Sequence, residues 1–181
     1  VGLGDFNGDG LNDIAVCSSL YNSTTLTMEN AVYVLYGREQ LSTPVDIDMA
    51  TFVYGTKGIR MTAAVTLSAS VPLLARAGDV NGDGLPDLAF SNFRANFQGR
   101  TNAGAVYLVF GSMDNRPATV DILNMPVGYG MRIIGASSYD MLGRPMGVGD
   151  INGDGIADLI LSARNTTYLD RSRCGMVYAF Y

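Results

Sequence analysis

Residues 78–88 read Gly-Asp-Val-Asn-Gly-Asp-Gly-Leu-Pro-Asp-Leu, and closely similar stretches occupy residues 4–14 and 149–159. In each copy, counted from its first aspartate, side chains that carry oxygen stand at positions 1, 3, 5 and 9, and position 7 is apolar. Calcium binds about six to eight carboxylate, amide and carbonyl oxygens in a flexible shell. We therefore predict that each copy is a calcium-binding loop, to which position 7 contributes its backbone carbonyl.

Glycines at positions 4 and 6 of every copy agree with this interpretation, because glycine enters the left-handed backbone region without steric cost. A simple Asn-Gly hairpin turn would also use these glycines, but it does not require the distant aspartate at position 9. An EF-hand would require a glutamate at position 12 and helices on both sides. Position 12 is instead Val16, Phe90 or Leu161, each inside an apolar run. The sequence therefore predicts calcium-binding hairpins between strands.

Composition and charge exclude several classes of function. The chain has 181 residues and a net charge of −5, and nine of its 17 acidic residues lie in the three loops, where bound calcium would neutralise them. The 12 basic residues are scattered along the sequence, which argues against nucleic-acid or anionic-membrane binding. The chain contains no histidine, so it offers no Ser-His-Asp or Cys-His arrangement. We predict that it is not an enzyme and binds no nucleic acid.

Cysteines and glycosylation motifs bear on the cellular compartment. Cys17 and Cys174 fall in different repeats, so we expect free thiols, or partners outside the chain, rather than a bond between them. Asn22-Ser23-Thr24 and Asn165-Thr166-Thr167 have the form of N-glycosylation acceptors. Their equivalent placement favours a secreted or cell-surface glycoprotein with sugars at Asn22 and Asn165, and ordinary polar loop residues are the alternative.

The three loops mark a long internal repeat, because their first aspartates are 74 and 71 residues apart. Short apolar segments bounded by turn residues recur at the same place in each period and predict strands. The predicted strands after each loop are residues 13–18, 87–91 and 158–162, followed by 31–37, 104–111 and 175–181. Segments 45–47 and 120–122, then 58–61 and 130–134, predict a third and a fourth strand, and 70–77 and 142–148 lead into the next loop.

Four strands per period is the unit of a propeller blade, whereas the repeats of a solenoid are usually shorter, about 20 to 45 residues. We therefore predict an all-β fold, a β-propeller of four-stranded antiparallel blades. The expected repeats are residues 1–66, 67–137 and an incomplete third at 138–181. These make about 2.5 to 3 blades of the ~4 to 8 that close a ring. We expect the remaining blades to come from sequence on both sides or from another chain.

Two further motifs accompany the loop, namely Gly-Ala-Val-Tyr-Leu-Val-Phe-Gly at residues 104–111 and Gly-Met-Arg-Ile-Ile-Gly-Ala at residues 130–136. Together with Gly-Asp-x-Asn-Gly-Asp-Gly-x-x-Asp-Leu-Ala, they resemble the FG-GAP repeats of integrin α-chain β-propellers and their microbial relatives. The resemblance covers essentially the whole chain. It implies a seven-bladed propeller with a calcium ion in the hairpin that joins the first and second strands of a blade.

Carried over to this sequence, the resemblance implies three Ca²⁺ sites, each with side-chain ligands at positions 1, 3, 5 and 9 and a backbone carbonyl at position 7. The implied ligands are Asp5, Asn7, Asp9, Leu11 and Asp13; Asp79, Asn81, Asp83, Leu85 and Asp87; and Asp150, Asn152, Asp154, Ile156 and Asp158.

Three functions agree with these features. The first is a calcium-stabilised extracellular module for recognition or cell adhesion, with a protein or glycan ligand at the cell surface or in the matrix, as the resemblance implies. The second is a structural repeat of an extracellular filament or surface coat. The third is the non-catalytic propeller domain of a larger secreted enzyme.

Overall fold

A computed structural model of the chain describes residues 1–24, 27–39, 46–65, 72–114 and 116–181. The elements in these ranges are strands β1 (Gly2–Gly4), β2 (Asp13–Asn22), β3 (Thr27–Leu35), β4 (Gly58–Val65), β5 (Leu73–Gly78), β6 (Asp87–Asn92), β7 (Ala105–Val109), β8 (Thr119–Asp121), β9 (Gly130–Ile134), β10 (Leu142–Gly149), β11 (Asp158–Ala163) and β12 (Met176–Phe180). The described residues include no helix, and thus none that could span a membrane. The predicted all-β fold is confirmed.

The strands form three sheets, and each predicted hairpin joins the first two strands of one sheet. Sheet 1 has the order β1-β2-β3-β4-β8, sheet 2 has the order β5-β6-β7-β9, and sheet 3 has the order β10-β11-β12. Neighbours within the first four strands of sheet 1, and throughout the other two sheets, are antiparallel. Sheet 2 is thus a complete four-stranded blade, and the described part of sheet 3 holds the first three strands of another.

One strand pairs differently from the prediction. Segment 120–122 was expected inside the second blade, but β8 instead runs parallel to β4 and extends sheet 1, with Met61 opposite Val120. The reason is burial, because Val120 and Ile122 enter the core between sheets 1 and 2 while Asp121 between them stays exposed. Of the equivalent first segment, Val45 lies outside the described residues, and Asp46 and Ile47 are not in a strand.

The hydrophobic core lies between the sheets. On sheet 2, Phe90 and Tyr107 face sheet 1, where their rings stack with centroids 5.1 Å apart. The alternate residues Ala89, Val106 and Leu108 face sheet 3. Because successive side chains of a strand point to opposite faces, sheet 2 is buried on both sides. Burial of each large apolar side chain contributes about 1.5–3 kcal/mol, and the sheets therefore pack face to face as propeller blades do.

The predicted repeats can be compared with these sheets. The three sheets fall within the repeats proposed from the sequence, except for β8, while residues 66 and 67 at the first boundary lie outside the described residues. The repeat boundaries therefore stay a prediction. Cys17 in β2 and Cys174 just before β12 are both free thiols.

Candidate metal centres

The three hairpins connect β1 to β2, β5 to β6 and β10 to β11, and they share one backbone conformation. The glycines at position 4 have φ of 75°, 74° and 81°, and those at position 6 have φ of 88°, 88° and 89°. These values lie in the left-handed region that favours glycine. The structure therefore agrees with the requirement for glycine that the sequence indicated.

Aspartates at positions 1 and 5 hold the tip of each hairpin. In the second hairpin, the Asp79 carboxylate accepts hydrogen bonds from the backbone N–H of Asp83 at 3.1 Å and of Gly84 at 2.7 Å. The Asp83 carboxylate accepts the N–H of Leu85 at 2.8 Å and a side-chain N–H of Asn81 at 2.8 Å. The first and third hairpins repeat all four bonds. In the third, these bonds lower the pKa of Asp154, first through the N–H of Ile156.

The aspartates at position 9 lie beneath the hairpins and are buried, with exposures of 1% for Asp13, 0% for Asp87 and 1% for Asp158. One carboxylate oxygen of Asp87 accepts the N–H of Val80 at position 2, and the other accepts the N–H of Gly111, which follows β7, both at 2.8 Å. Asp13 makes the equivalent bonds. In these two hairpins, the aspartate at position 9 thus connects the hairpin to the end of the third strand of its sheet.

Burial changes the acidity of these carboxyl groups. Desolvation raises the pKa of Asp87 to about 6 from 3.8, although the N–H groups of Val80 and Gly111 oppose the rise. The pKa of Asp13 is raised for the same reason. In the third hairpin, Asp158 accepts the N–H of Ile151 at 2.7 Å through one oxygen, while its buried Oδ1 has no partner among the described residues.

The donor set of each hairpin fits a hard cation, because it consists of carboxylate, amide and carbonyl oxygens. The present side-chain arrangement is not a formed metal shell. Among the described residues, no three Asp, Glu or Cys side chains are grouped closely enough to hold an ion. The carboxylates at positions 1, 5 and 9 instead accept hydrogen bonds from backbone N–H groups. Binding would require their free lone pairs to converge on a common centre inside the hairpin.

Neighbouring hairpins contact one another. The N–H of Ala157 in the third hairpin donates to the carbonyl of Asp79 in the second, at 2.9 Å. A Cβ added to Gly78 would lie 2.7 Å from the Cβ of Ala157, and one added to Gly4 would lie 3.3 Å from Pro86, which holds the same position as Ala157. The hairpins therefore form a continuous row along one end of the three sheets.

Sequence reasoning missed Arg116, which packs beside this row. It is 7% exposed, donates to the carbonyl of Phe110 at 2.6 Å and lies 4.5 Å from the ring centroid of Tyr129. Burial lowers the pKa of its guanidinium. Because Phe110 immediately precedes Gly111, Arg116 holds the backbone that contacts Asp87. A single arginine outside any motif carries no sequence signal for this role.

The possible glycosylation sites are placed as follows. Asn22 is the last residue of β2. Asn165 lies in the loop after β11, half-buried, and its side-chain amide is 3.5 Å from the sulfur of Met141. Glycosylation at either residue stays a prediction.

Comparison with known proteins identifies the repeats. The FG-GAP repeat family model matches residues 1–35 and 75–109. Phosphatidylinositol-glycan-specific phospholipase D of Rattus norvegicus is 29% identical over 98% of this chain, and the Homo sapiens enzyme is 28% identical over 98%. Integrin alpha-IIb of Mus musculus is 31% identical over 80% of the chain.

The chain spans only part of these relatives, covering 19% of the length of each of those two phospholipases and 14% of the integrin chain. The third hairpin lies outside the residues that the family model matches, although it has the same hydrogen bonds as the other two. The chain therefore belongs to the FG-GAP repeat proteins, is homologous to an integrin α chain, and folds into blades of the β-propeller type.

Proposed function

We propose that the chain is a calcium-stabilised segment of an extracellular β-propeller that recognises a protein or glycan ligand. The observation that carries this proposal is the row of three equivalent hairpins, each with the same oxygen donors and the same glycine conformations. The resemblance to integrin repeats adds the expectation of recognition at a cell surface or in the matrix.

Calcium supplies the stabilisation in this proposal. Each hairpin carries three carboxylates, whose mutual repulsion would oppose the convergence of their oxygens on a common centre unless a cation lies between them. An ion that binds only the folded form adds about 2.7 kcal/mol per site at a hundredfold excess over its Kd. Because the hairpins contact one another, order in one hairpin supports the next blade. Millimolar extracellular calcium suits loops of this exposed kind.

A second candidate function rests on the phospholipase relatives. Their name describes an enzyme that acts on phosphatidylinositol-glycan, and this chain corresponds to about a fifth of each. As the alternative, the segment would be the non-catalytic propeller of a larger secreted enzyme. The full-length reading frame distinguishes the two, since the alternative requires a hydrolase domain in the same polypeptide and the first proposal does not.

The recognition proposal can be tested with the full-length protein on a panel of extracellular proteins and glycans. We expect binding in millimolar calcium and its loss in EGTA. The double variant Asp79→Ala, Asp83→Ala removes two proposed ligands and should weaken binding, whereas Asp114→Ala, at an exposed aspartate outside the hairpins, should not. Binding of equal strength in calcium and EGTA, or no binding to any member of the panel, would contradict the proposal.

A further inference from the structure

The sheet ends opposite the hairpins carry a second surface, which we call the loop face. It consists of residues 93–104, 135–141 and 164–175, which connect strands at that end of sheets 2 and 3. Hydrogen bonds join the three segments into one surface. Tyr139 N–H donates to the carbonyl of Thr101 at 2.7 Å, and Asn165 N–H donates to the carbonyl of Asp140 at 3.3 Å.

The backbone of the loop face is held in an unusual conformation. Each of the seven non-glycine residues with positive φ in the described chain lies here, including Tyr139 at 68°, Leu169 at 46° and Arg173 at 55°. Such conformations cost free energy for residues with bulky side chains, and they cluster at binding sites. The two large loops also repeat one geometry, since Phe97 bridges Arg100 as Tyr168 bridges Arg171.

Positive charge is concentrated on this face. The three segments contain five arginines against two aspartates, of which Asp140 is buried. The guanidinium groups of Arg94 and Arg164 lie 5.7 and 5.9 Å from the ring centroid of Phe93. Within the described residues, neither of them, nor the exposed Arg171 and Arg173, forms an ion pair with a carboxylate. The opposite end carries the nine hairpin aspartates, so the charges of the folded segment are segregated.

Aromatic and apolar side chains accompany the arginines. Tyr139 is 56% exposed, Tyr168 is 54% exposed and Leu169 is 76% exposed. Tyrosine presents a flat apolar ring with a polar tip, which suits the apolar faces of sugar rings. Guanidinium groups bind planar or tetrahedral oxyanions through paired hydrogen bonds. Because the arginines are spread over the loops of two sheets, they match a ligand with repeated anionic groups.

We propose that the loop face binds an anionic glycan, with its four exposed arginines on sulfate or carboxylate groups and its tyrosines on the sugar rings. This inference rests on the proposed recognition function and narrows its ligand to one chemical class. A short acidic peptide is the competing ligand, and it makes less use of two exposed tyrosines on separate loops.

The test is binding of the full-length protein to heparin in millimolar calcium, compared across variants. The double variant Arg171→Ala, Arg173→Ala removes two charges from the loop face, and Arg38→Ala, Lys57→Ala removes two exposed charges elsewhere. We expect the first to weaken binding roughly tenfold or more and the second by less than about twofold. The first should also lower the salt dependence of binding, because fewer counterions are released. Melting in calcium checks that each variant is folded.

Tyr168→Ala separates sugar stacking from charge, and we expect it to weaken heparin binding without changing the salt dependence. Equal losses in the two double variants would overturn the inference, since they would indicate attraction by net charge alone. Binding of an oligoglutamate peptide in place of heparin would overturn the glycan assignment. Calcium-dependent binding to a panel ligand without heparin binding would contradict this inference but would still support the proposed recognition function.

Discussion

At the scale of single residues, the aspartate at position 9 has a structural role in addition to its predicted role as a metal ligand. Asp87 is fully buried, and its two oxygens accept N–H groups from the hairpin and from the residue after β7. Asp87 therefore connects the hairpin to the end of β7 without a bound ion. A metal would add to these contacts, because each carboxylate oxygen has more than one lone pair.

Replacement of Asp87 by alanine should destabilise the protein even without calcium. The buried N–H of Gly111 and the partly buried N–H of Val80 would lose their acceptor, at about 1–3 kcal/mol for each. Urea unfolding in EGTA should show a loss of about 2–6 kcal/mol. Asp114→Ala is the matched control, since Asp114 is exposed, and it should change stability by less than about 0.5 kcal/mol. Equal stability of the two variants would contradict the structural role of Asp87.

The raised pKa of Asp87 predicts a pH dependence in calcium-free protein. Its pKa is about 6 when folded and 3.8 ordinarily, so the native state binds more protons than the unfolded state between these values. Stability should therefore fall as pH rises from about 4 to about 6. The raised pKa of Asp13 acts in the same sense, while the lowered pKa of Asp154 has its effect below this window.

Thermal melting in EGTA across this pH range provides the measurement, and the slope should become shallower in Asp87→Ala. A melting temperature that rises between pH 4 and pH 6 would show that the burial of Asp87 does not govern this window. Asp114→Ala should keep the wild-type slope.

The sequence predicted the residues of the hairpins better than their contacts. The glycines at positions 4 and 6 were expected to turn the chain, and their φ values agree. The bonds from position 9 to Gly37 and Gly111, and the burial of Arg116, were not foreseen. These contacts join residues that are distant along the chain, and no sequence pattern links Gly111 or Arg116 to a hairpin, so only the fold brings them together.

At the scale of the elements, each hairpin is also a joint between blades. Gly78 ends β5 and packs against Ala157 of the next hairpin, with a φ of 70°. Gly99, in the loop between β6 and β7, has a similar φ of 79°, but an added Cβ there would meet no atom of the described residues within 4 Å. The two glycines therefore share a backbone conformation and differ in packing.

This difference predicts unequal effects of the same substitution. Gly78→Ala should lower stability by about 2 kcal/mol or more, since a left-handed alanine costs roughly 1–2 kcal/mol and its Cβ would overlap Ala157. Gly99→Ala should cost only the backbone contribution, roughly 1–2 kcal/mol, because its Cβ would meet no neighbour. The two variants can be compared by thermal unfolding in millimolar calcium. Similar melting temperatures would mean that adjacent hairpins do not pack as described.

The sequence also predicted most elements, for a physical reason. A repeated loop at a long period fixes where strands start, and β2, β6 and β11 all begin at the position-9 aspartate. The placement of β8 was wrong, because a Val-Asp-Ile segment has the same alternation whether it pairs within its own blade or with its neighbour. Its choice of sheet 1 depends on the core between blades, which local pattern does not encode.

At the scale of the whole molecule, the three packed sheets separate two ends of opposite charge. The acidic end holds the hairpin row, and the other end holds the arginine-rich loop face. We propose that calcium removes the repulsion among the aspartates of the acidic end and so stabilises the joints between blades. The role of the loop face depends in turn on the rigidity that these joints provide.

The most direct test is a crystal structure of the full-length protein grown in millimolar calcium. We predict one calcium ion in each of the three hairpins, at about 2.3–2.6 Å from the oxygens of positions 1, 3, 5, 7 and 9. Hairpins without calcium, whose carboxylates remain bonded only to backbone N–H groups, would contradict this prediction.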